Sequence, residues 1–353
     1  MSANKEKGKT TWESQFYYTD WTGKRKKKHK RGFEKKKDAL EWEREFLDKH
    51  ARSMDMLFKS FLELYYEYTL NIKDNRRSSI ATSKNIINTH ILPFFAEKKM
   101  NEITATDIHE WQKTVKAKGY KDTYLRTIHS KLSAIFNYAV TFYDLGKNPC
   151  QAAGSMGSKK TNSIDFWTLE EFRKFIPSIA DKPRAQIGIE LLYWSGMRVG
   201  ELCALTPADF NKEAHTINID KTWQIVEGEE IIGPPKSNNG VRVVIMPEAI
   251  CKKLEKYIDM LYECPVDERI FEGASKYFFA SEIKRGSLKT GIKRIRVHDL
   301  RHSHVALLID LGYNDYMIAE RIGDTVQEVQ KTYAHLYPNK NKEIALHLEA
   351  LQI

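Results

Sequence analysis

A multidomain chain, mainly α-helical with small β-sheets, is the fold class this sequence predicts, and three observations carry it. The chain has 353 residues, more than the ~250–300 beyond which single hydrophobic cores stop growing and chains divide. Apolar periodicity is extended near the N-terminus, helical from Met54, and mixed from Ile164 onward. Charge is uneven within a net +10: residues 1–52 hold 16 Lys and Arg against 9 Asp and Glu, residues 53–150 hold 14 against 10, and residues 151–353 hold 27 against 28. A polyanionic partner would therefore be gripped mainly by the first 150 residues; the competing reading is a solvated basic face.

Hydrophobic content of 41% and aromatic content of 11% exclude a disordered chain. No apolar run approaches the ~18–20 residues of a membrane span, and "MSANKEKGKTTW" lacks the apolar stretch of a secretion signal, so a cytoplasmic protein is expected. Cys150, Cys203, Cys251 and Cys264 form no CxxC pair, which argues against both a zinc site and a disulfide framework.

In chain order, "TTWESQFYYTD" is rich in β-branched and aromatic residues, "WTGK" supplies a turn, and "KRKKKHKRGF" continues extended. The helix "KKKDALEWEREFLDKH" follows, with Ala39, Leu40, Trp42, Phe46 and Leu47 near one face. Lys24, Arg25, Lys26, Lys27, Lys28, Lys30 and Arg31 are expected to line an exposed face able to enter a DNA groove as a β-ribbon does. From Met54, Leu57, Phe58, Phe61, Leu62, Leu64, Tyr65 and Tyr68 recur at helical spacing. Thr106 and Asp122 are candidate caps of two further helices in a four-helix region, and "DLGKNP" ends the second. "CQAAGSMGSKKTNS" reads as a flexible linker.

Beyond it, Thr168 and Glu171 predict a capping box, and "AQIGIELLYW" a buried helix. "HTINIDKTW", "EEIIGPP" and "VRVVIMP" read as strands, with Asn239-Gly240 as a hairpin signal before the last. Helices resume from Pro247, interrupted at "KYFFAS", and run to the C-terminus.

Arg198 precedes the helix start "VGELCAL" and can either clamp an anion or pair with Glu201 three residues on. His298 and Arg301 in "HDLRH" share a helix face, as a phosphate fork or as a surface pair. Lys236 lies in a loop, where lysines are ordinarily solvated, and Tyr333 in "KTYAHL" is either a core aromatic or a nucleophile. Together these groups can neutralise a phosphorane while a tyrosine attacks phosphorus, with no metal or nucleotide cofactor.

The order Arg198, Lys236, His298-x-x-Arg301, Tyr333 resembles the tyrosine recombinase, or phage integrase, family, in "SGMRVGEL", "PPKSNNGVRVVIMP", "HDLRHSH" and "KTYAHL". The resemblance covers the whole chain. It implies a three-stranded arm-type DNA-binding module at 1–52, a helical core-binding domain at 53–150, a linker at 151–163 and an α+β catalytic domain at 164–353. Tyr333 would form a 3′-phosphotyrosyl link, Lys236 would protonate the departing 5′ oxygen, Arg198 and Arg301 would hold the non-bridging oxygens, and His298 would assist proton transfer. The partners implied are double-stranded DNA with core and arm sites, a homotetramer on that DNA, and a DNA-bending protein and an excisionase as accessory proteins. In the tail, Ile344, Leu348 and Leu351 form a stripe that either docks on a neighbouring protomer or covers the chain's own core.

One position departs from the family. Nine residues before the tyrosine, where His or Trp is usual, stands Asp324, and an ionised carboxylate cannot donate a hydrogen bond to phosphate. The expectation is that Asp324 pairs with a cationic neighbour or caps the helix after Thr325, rather than remaining protonated, and that His335 supplies part of the missing donor. Asp324 also motivates a rival, a DNA-binding regulator of this fold without strand transfer. A monomeric topoisomerase shares the chemistry, but the small basic N-terminal module argues against it.

Overall fold

In the computed structural model, residues 3–6, 8–19, 25–51, 54–71, 76–158, 164–235, 237–261, 264–336 and 349 are described. Lys24, the side chain of Arg25, Lys236 and the tail residues Ile344, Leu348 and Leu351 lie outside them. The chain divides into two compact units, Met1–Asn162 and Ser163–Ile353.

The first unit opens with strands β1 (Ala3–Lys5), β2 (Trp12–Thr19) and β3 (Arg25–Phe33), an antiparallel sheet in the order β1-β2-β3. Helix α1 (Lys36–Ala51) packs on it, with the Phe16 ring 5.8 Å from Trp42 and 5.5 Å from Phe46. The basic residues of β3 do not share one face as expected, because side chains alternate along a strand. Lys28 and Lys30 lie on the helix side, their amines 5.1 Å from the Phe46 ring centre and 5.3 Å from that of Trp42; Lys26 shares their parity. The other face carries Lys27, His29 and Arg31 beside exposed Tyr17, with Glu13 bonded to His29 at 2.9 Å and to Arg31 at 3.1 Å.

Four long helices follow, α2 (Phe58–Asn71), α3 (Arg77–His90), α5 (Ala105–Lys116) and α6 (Asp122–Phe142), with two short ones, α4 (Leu92–Phe95) and α7 (Pro149–Ala153). Phe58, Phe61, Ile87, Trp111, Ile128, Leu132 and Phe136 fill their core. The cap of α5 is Thr104, in a capping box with Asp107, rather than Thr106, and Asp122 is the first residue of α6 rather than its cap. The stretch read as linker begins as structure: α7 and Met156, buried in the helical core, occupy its first half.

In the second unit, α8 (Leu169–Phe175) starts at the Thr168–Glu171 capping box. Helix α9 (Pro183–Ser195) is apolar nearly all round because it crosses the core, and Gly196, at φ 68°, ends it. After α10 (Val199–Ala204) come β4 (Phe210–Asn211), β5 (Thr216–Ile219), β6 (Thr222–Val226), β7 (Glu229–Gly233) and β8 (Arg242–Ile245). The hairpin is not where Asn239-Gly240 pointed. β6 pairs with β7 through a turn at Glu227 and Gly228, both at positive φ, whereas Asn238–Gly240 is a 3₁₀ turn and β8 pairs with β5. Helices α11 (Glu248–Asp259), α12 (Lys276–Thr290), α13 (Asp299–Asp310), α14 (Asp315–Ile322) and α15 (Val326–Tyr333) complete the unit. "KYFFAS" does not interrupt a helix but opens α12, capped by Ser275.

Candidate active site

Arg198, the residue before α10, directs its guanidinium at two carboxylates: Nη1 donates to Glu201 Oε1 at 3.1 Å and Nη2 to Asp324 Oδ2 at 3.2 Å. The pairing with Glu201 raised for Arg198 is present, and the other edge of the fork is held by Asp324. Glu201 is almost fully enclosed, with 2% of its side chain exposed, and its Oε2 also accepts from Arg242 Nη2 at 2.9 Å and from the Arg198 backbone N–H at 2.9 Å. Burial alone would raise its pKa, but Arg242, the backbone N–H of Arg198 and the Arg198 charge hold it below the usual glutamate value.

Arg301, on the first turn of α13, is buried. Its Nη1 donates to the carbonyls of Gly196 at 2.9 Å and Ile322 at 2.6 Å, and its Nη2 to Asp324 Oδ2 at 2.9 Å. Gly196 is required at that approach, because a Cβ there would meet His304 Cδ2 at 2.6 Å. Desolvation and the neighbouring Arg198 charge bring Arg301 down to about 10, which leaves it charged at neutral pH.

Asp324 follows Gly323, which ends α14 at φ 67°. A single oxygen, Oδ2, receives both arginines, while Oδ1 accepts from the Thr325 N–H at 3.2 Å. Capping of α15 falls to the Thr325 hydroxyl, which accepts from the Glu328 N–H at 3.2 Å.

His298 lies at the start of α13, and desolvation, His302, Arg301 and Arg198 push it down to about 4, so it is neutral at pH 7. Tyr333 ends α15, packed with Val305, Ile309, Ile318 and Ile322 and 4% exposed. Its hydroxyl lies 2.6 Å from His302 Nδ1. Burial pushes the phenol up to about 12. Arg198, Glu201, His298, Arg301 and Asp324 thus surround one region with Tyr333 at its edge. His335 is exposed in the following turn and makes no hydrogen bond to these groups among the described residues.

Two participants escaped the sequence reading. His302 is four residues from His298 on the same helix face, a signal present in "HDLRH". Arg242 alternates with apolar residues in "VRVVIMP" and so reads as an exposed strand position, yet only 7% of its side chain is exposed.

Comparison with known proteins bears on this constellation. Three family models match in order: an Arm DNA-binding domain at residues 2–50, the phage integrase N-terminal SAM-like domain at 57–115, and the Phage integrase family at 164–340. The ICEBs1 integrase of Bacillus subtilis is 32% identical over 338 residues, 90% of each chain. The chain is a tyrosine recombinase of the phage integrase family. Within that family, its fold is similar to a Tn1549 transposon integrase in complex with circular intermediate DNA, at a TM-score of 0.66, 17% identity, and coverage of 82% of this chain and 99% of that one. It is also similar to a lambda integrase dimer bound to a core site, at a TM-score of 0.61, 17% identity, and coverage of 96% and 95%. A regulator without strand transfer is not favoured by this membership.

Proposed function

We propose that this recombinase integrates and excises a mobile element by two transesterifications per strand, with Tyr333 as nucleophile. The observation that carries the reading is the convergence of the Arg198 and Arg301 forks on one oxygen, Asp324 Oδ2. Two guanidinium groups aimed at one point are what a phosphate oxygen gaining charge in a transition state needs. Tyr333 stands at the end of the helix that starts two residues after Asp324.

In the forward step the Tyr333 oxygen bonds to phosphorus and the bond to the 5′ oxygen breaks, leaving a 3′-phosphotyrosyl link. Lys236 supplies the proton to the departing oxygen, Arg198 and Arg301 hold the non-bridging oxygens, and neutral His298 offers a ring N–H. The 5′ hydroxyl of a partner strand then reverses the chemistry. Asp324 has to release the two arginines when phosphate arrives, since like charges at 4 Å repel by about 1 kcal/mol in water and about 4 at an effective dielectric of 20.

Around this centre, residues 1–52 bind arm-type DNA, residues 53–150 bind core DNA with 164–353, and four protomers assemble on two sites in the cytoplasm, joined by a DNA-bending protein and an excisionase. The test is a nicked duplex carrying the DNA that flanks the gene for this chain. The wild type should yield a protein–DNA adduct stable to denaturation and chelators, and Tyr333→Phe none; an undiminished adduct from Tyr333→Phe would exclude the reading. Removing residues 1–52 should weaken arm-site binding and flatten its salt dependence while leaving cleavage of a short core duplex measurable.

A further inference from the structure

We infer that His302 takes the proton from the Tyr333 hydroxyl as the phenolic oxygen attacks phosphorus, with Asp299 positioning the imidazole. This rests on Tyr333 being the nucleophile, and it gives His302 a role in the reaction that the His298-x-x-Arg301 pattern does not assign.

The contact is direct, 2.6 Å from His302 Nδ1 to the Tyr333 oxygen, with the two rings edge to face at 5.5 Å between centres. Its direction follows from proton counting. A phenol has one proton to donate, and Tyr333, 4% exposed, has Nδ1 as the hydrogen-bonding neighbour of its oxygen among the described residues. With Nδ1 accepting, the ring proton sits on Nε2, and that nitrogen faces Asp299 Oδ1 at 3.9 Å. Asp299 is itself buried, at 1% exposure, and is fixed by Arg296, whose Nε donates at 3.1 and 3.0 Å and Nη2 at 2.7 Å. At 3.9 Å the buried carboxylate acts on the imidazole through its charge rather than by a hydrogen bond, and stabilises the cation once formed.

His298, the other imidazole nearby, makes no hydrogen bond to Tyr333 among the described residues. It stacks edge to face on His302, with ring centres 5.1 Å apart. The groups facing His302 are His298, Asp299, Arg296 and Arg301 from its own stretch and Tyr333 from α15. Burial outweighs Asp299 and, with Arg296 and Arg301, lowers the His302 pKa, so the ring is an unprotonated acceptor at neutral pH. Tyr333 needs such an acceptor, because burial and the Asp324 and Asp299 charges oppose its ionisation more than Arg301 and Arg198 assist it.

The step balances. The tyrosine O–H bond breaks as its oxygen bonds to phosphorus, and the proton moves to Nδ1. The bond from phosphorus to the 5′ oxygen breaks, and that oxygen takes a proton from the general acid. In the return step the incoming 5′ hydroxyl gives its proton to the conjugate base of the general acid as its oxygen bonds to phosphorus, and the imidazolium returns its proton to the departing Tyr333 oxygen.

The experiment measures phosphotyrosyl formation against pH on the same nicked flanking duplex, using the full chain. For the wild type, the rate should hold at pH 7 and fall only below the ordinary histidine range. His302→Gln keeps a hydrogen-bonding side chain but not its basicity, and should lose about 10²–10⁴-fold at neutral pH along with the acid limb of the profile. Replacing Tyr333 by a fluorinated tyrosine that ionises more readily should recover part of that loss. Core-duplex binding by His302→Gln, at wild-type affinity, checks that the variant is folded. In the DNA-free protein, ¹⁵N NMR of the histidine rings should find His302 as the Nε2–H tautomer. Cleavage by His302→Gln within threefold of wild type, or an Nδ1–H tautomer, overturns the inference while leaving the nucleophile intact. No wild-type adduct, or an adduct surviving Tyr333→Phe, overturns the function on which it rests.

Discussion

Glu201 and Asp324 are both carboxylates bonded to Arg198, and they stand on opposite sides of it in a functional sense. Glu201 is sealed behind the guanidinium, 2% exposed, with Arg242 as its second cation. Asp324 lies where the fork opens, 31% exposed, with Arg301 as its second cation. A carboxylate at the back fixes the direction of an arginine and stays through the reaction. In the proposed reaction, one at the front occupies the place of the phosphate and must give way to it. The same ion pair is thus scaffold in one position and competitor in the other, and burial is what separates the two.

The largest effect should come from breaking the back pair. Glu201→Ala strands Arg242 without its buried partner and should cost about 3–5 kcal/mol in urea unfolding of the full chain. Because the folded-state pKa of Glu201 is depressed, its contribution is present above the unfolded value of ~4.3 and is lost as pH falls through the lower folded value. Glu201→Gln should therefore be less stable than wild type at pH 7, with the gap closing in strong acid. A gap unchanged by acid would mean that charge is not what Glu201 contributes.

Removing the front charge should act on binding rather than on folding. Asp324→Asn should tighten core-duplex binding by about fivefold, roughly 1 kcal/mol, the lower end of the Coulomb range because the group is partly solvated. Its cleavage rate against pH sharpens the contrast. A wild-type rate that collapses above pH 6 while Asp324→Asn stays flat would mean that Asp324 works as a neutral acid and is no competitor. An effect between these two should come from the residue that aims it. Gly323→Ala forces a Cβ to 2.7 Å from the Asn239 carbonyl oxygen in a left-handed conformation, at about 1–2 kcal/mol in thermal unfolding from the backbone alone.

Much of this architecture was legible in the residues because its signals are local. The Thr168–Glu171 box, the buried period of α9 and the ordered Arg, His-x-x-Arg and Tyr motifs each depend on spacings of a few positions. What was not legible depends on partners far along the chain. Asn239-Gly240 announces a turn but not which strands flank it, and β8 pairs with β5 across the β6–β7 hairpin. Thr104 is the exception, a local signal passed over, since Asp107 three residues on answers it and not Thr106. That Asp324 would meet both arginines, 126 and 23 residues away, is tertiary information. His302 is different: its position on the helix face was readable, and only its contact with Tyr333 was not.

Arg242 gives the site a mechanical property beyond its charge. One rigid guanidinium plane donates to the Gly240 carbonyl at 2.8 Å, the Arg321 carbonyl at 3.0 Å and Glu201 at 2.9 Å, while Asn239 reaches the Asp324 carbonyl at 3.4 Å. The loop that leads into β8 and the last turn of α14 are consequently held to the same plate, and Asn239 ties that loop to the turn that follows α14. Displacing either drags the other, so the turn at Asn239 and Gly240 and the start of the helix that ends in Tyr333 keep time with each other.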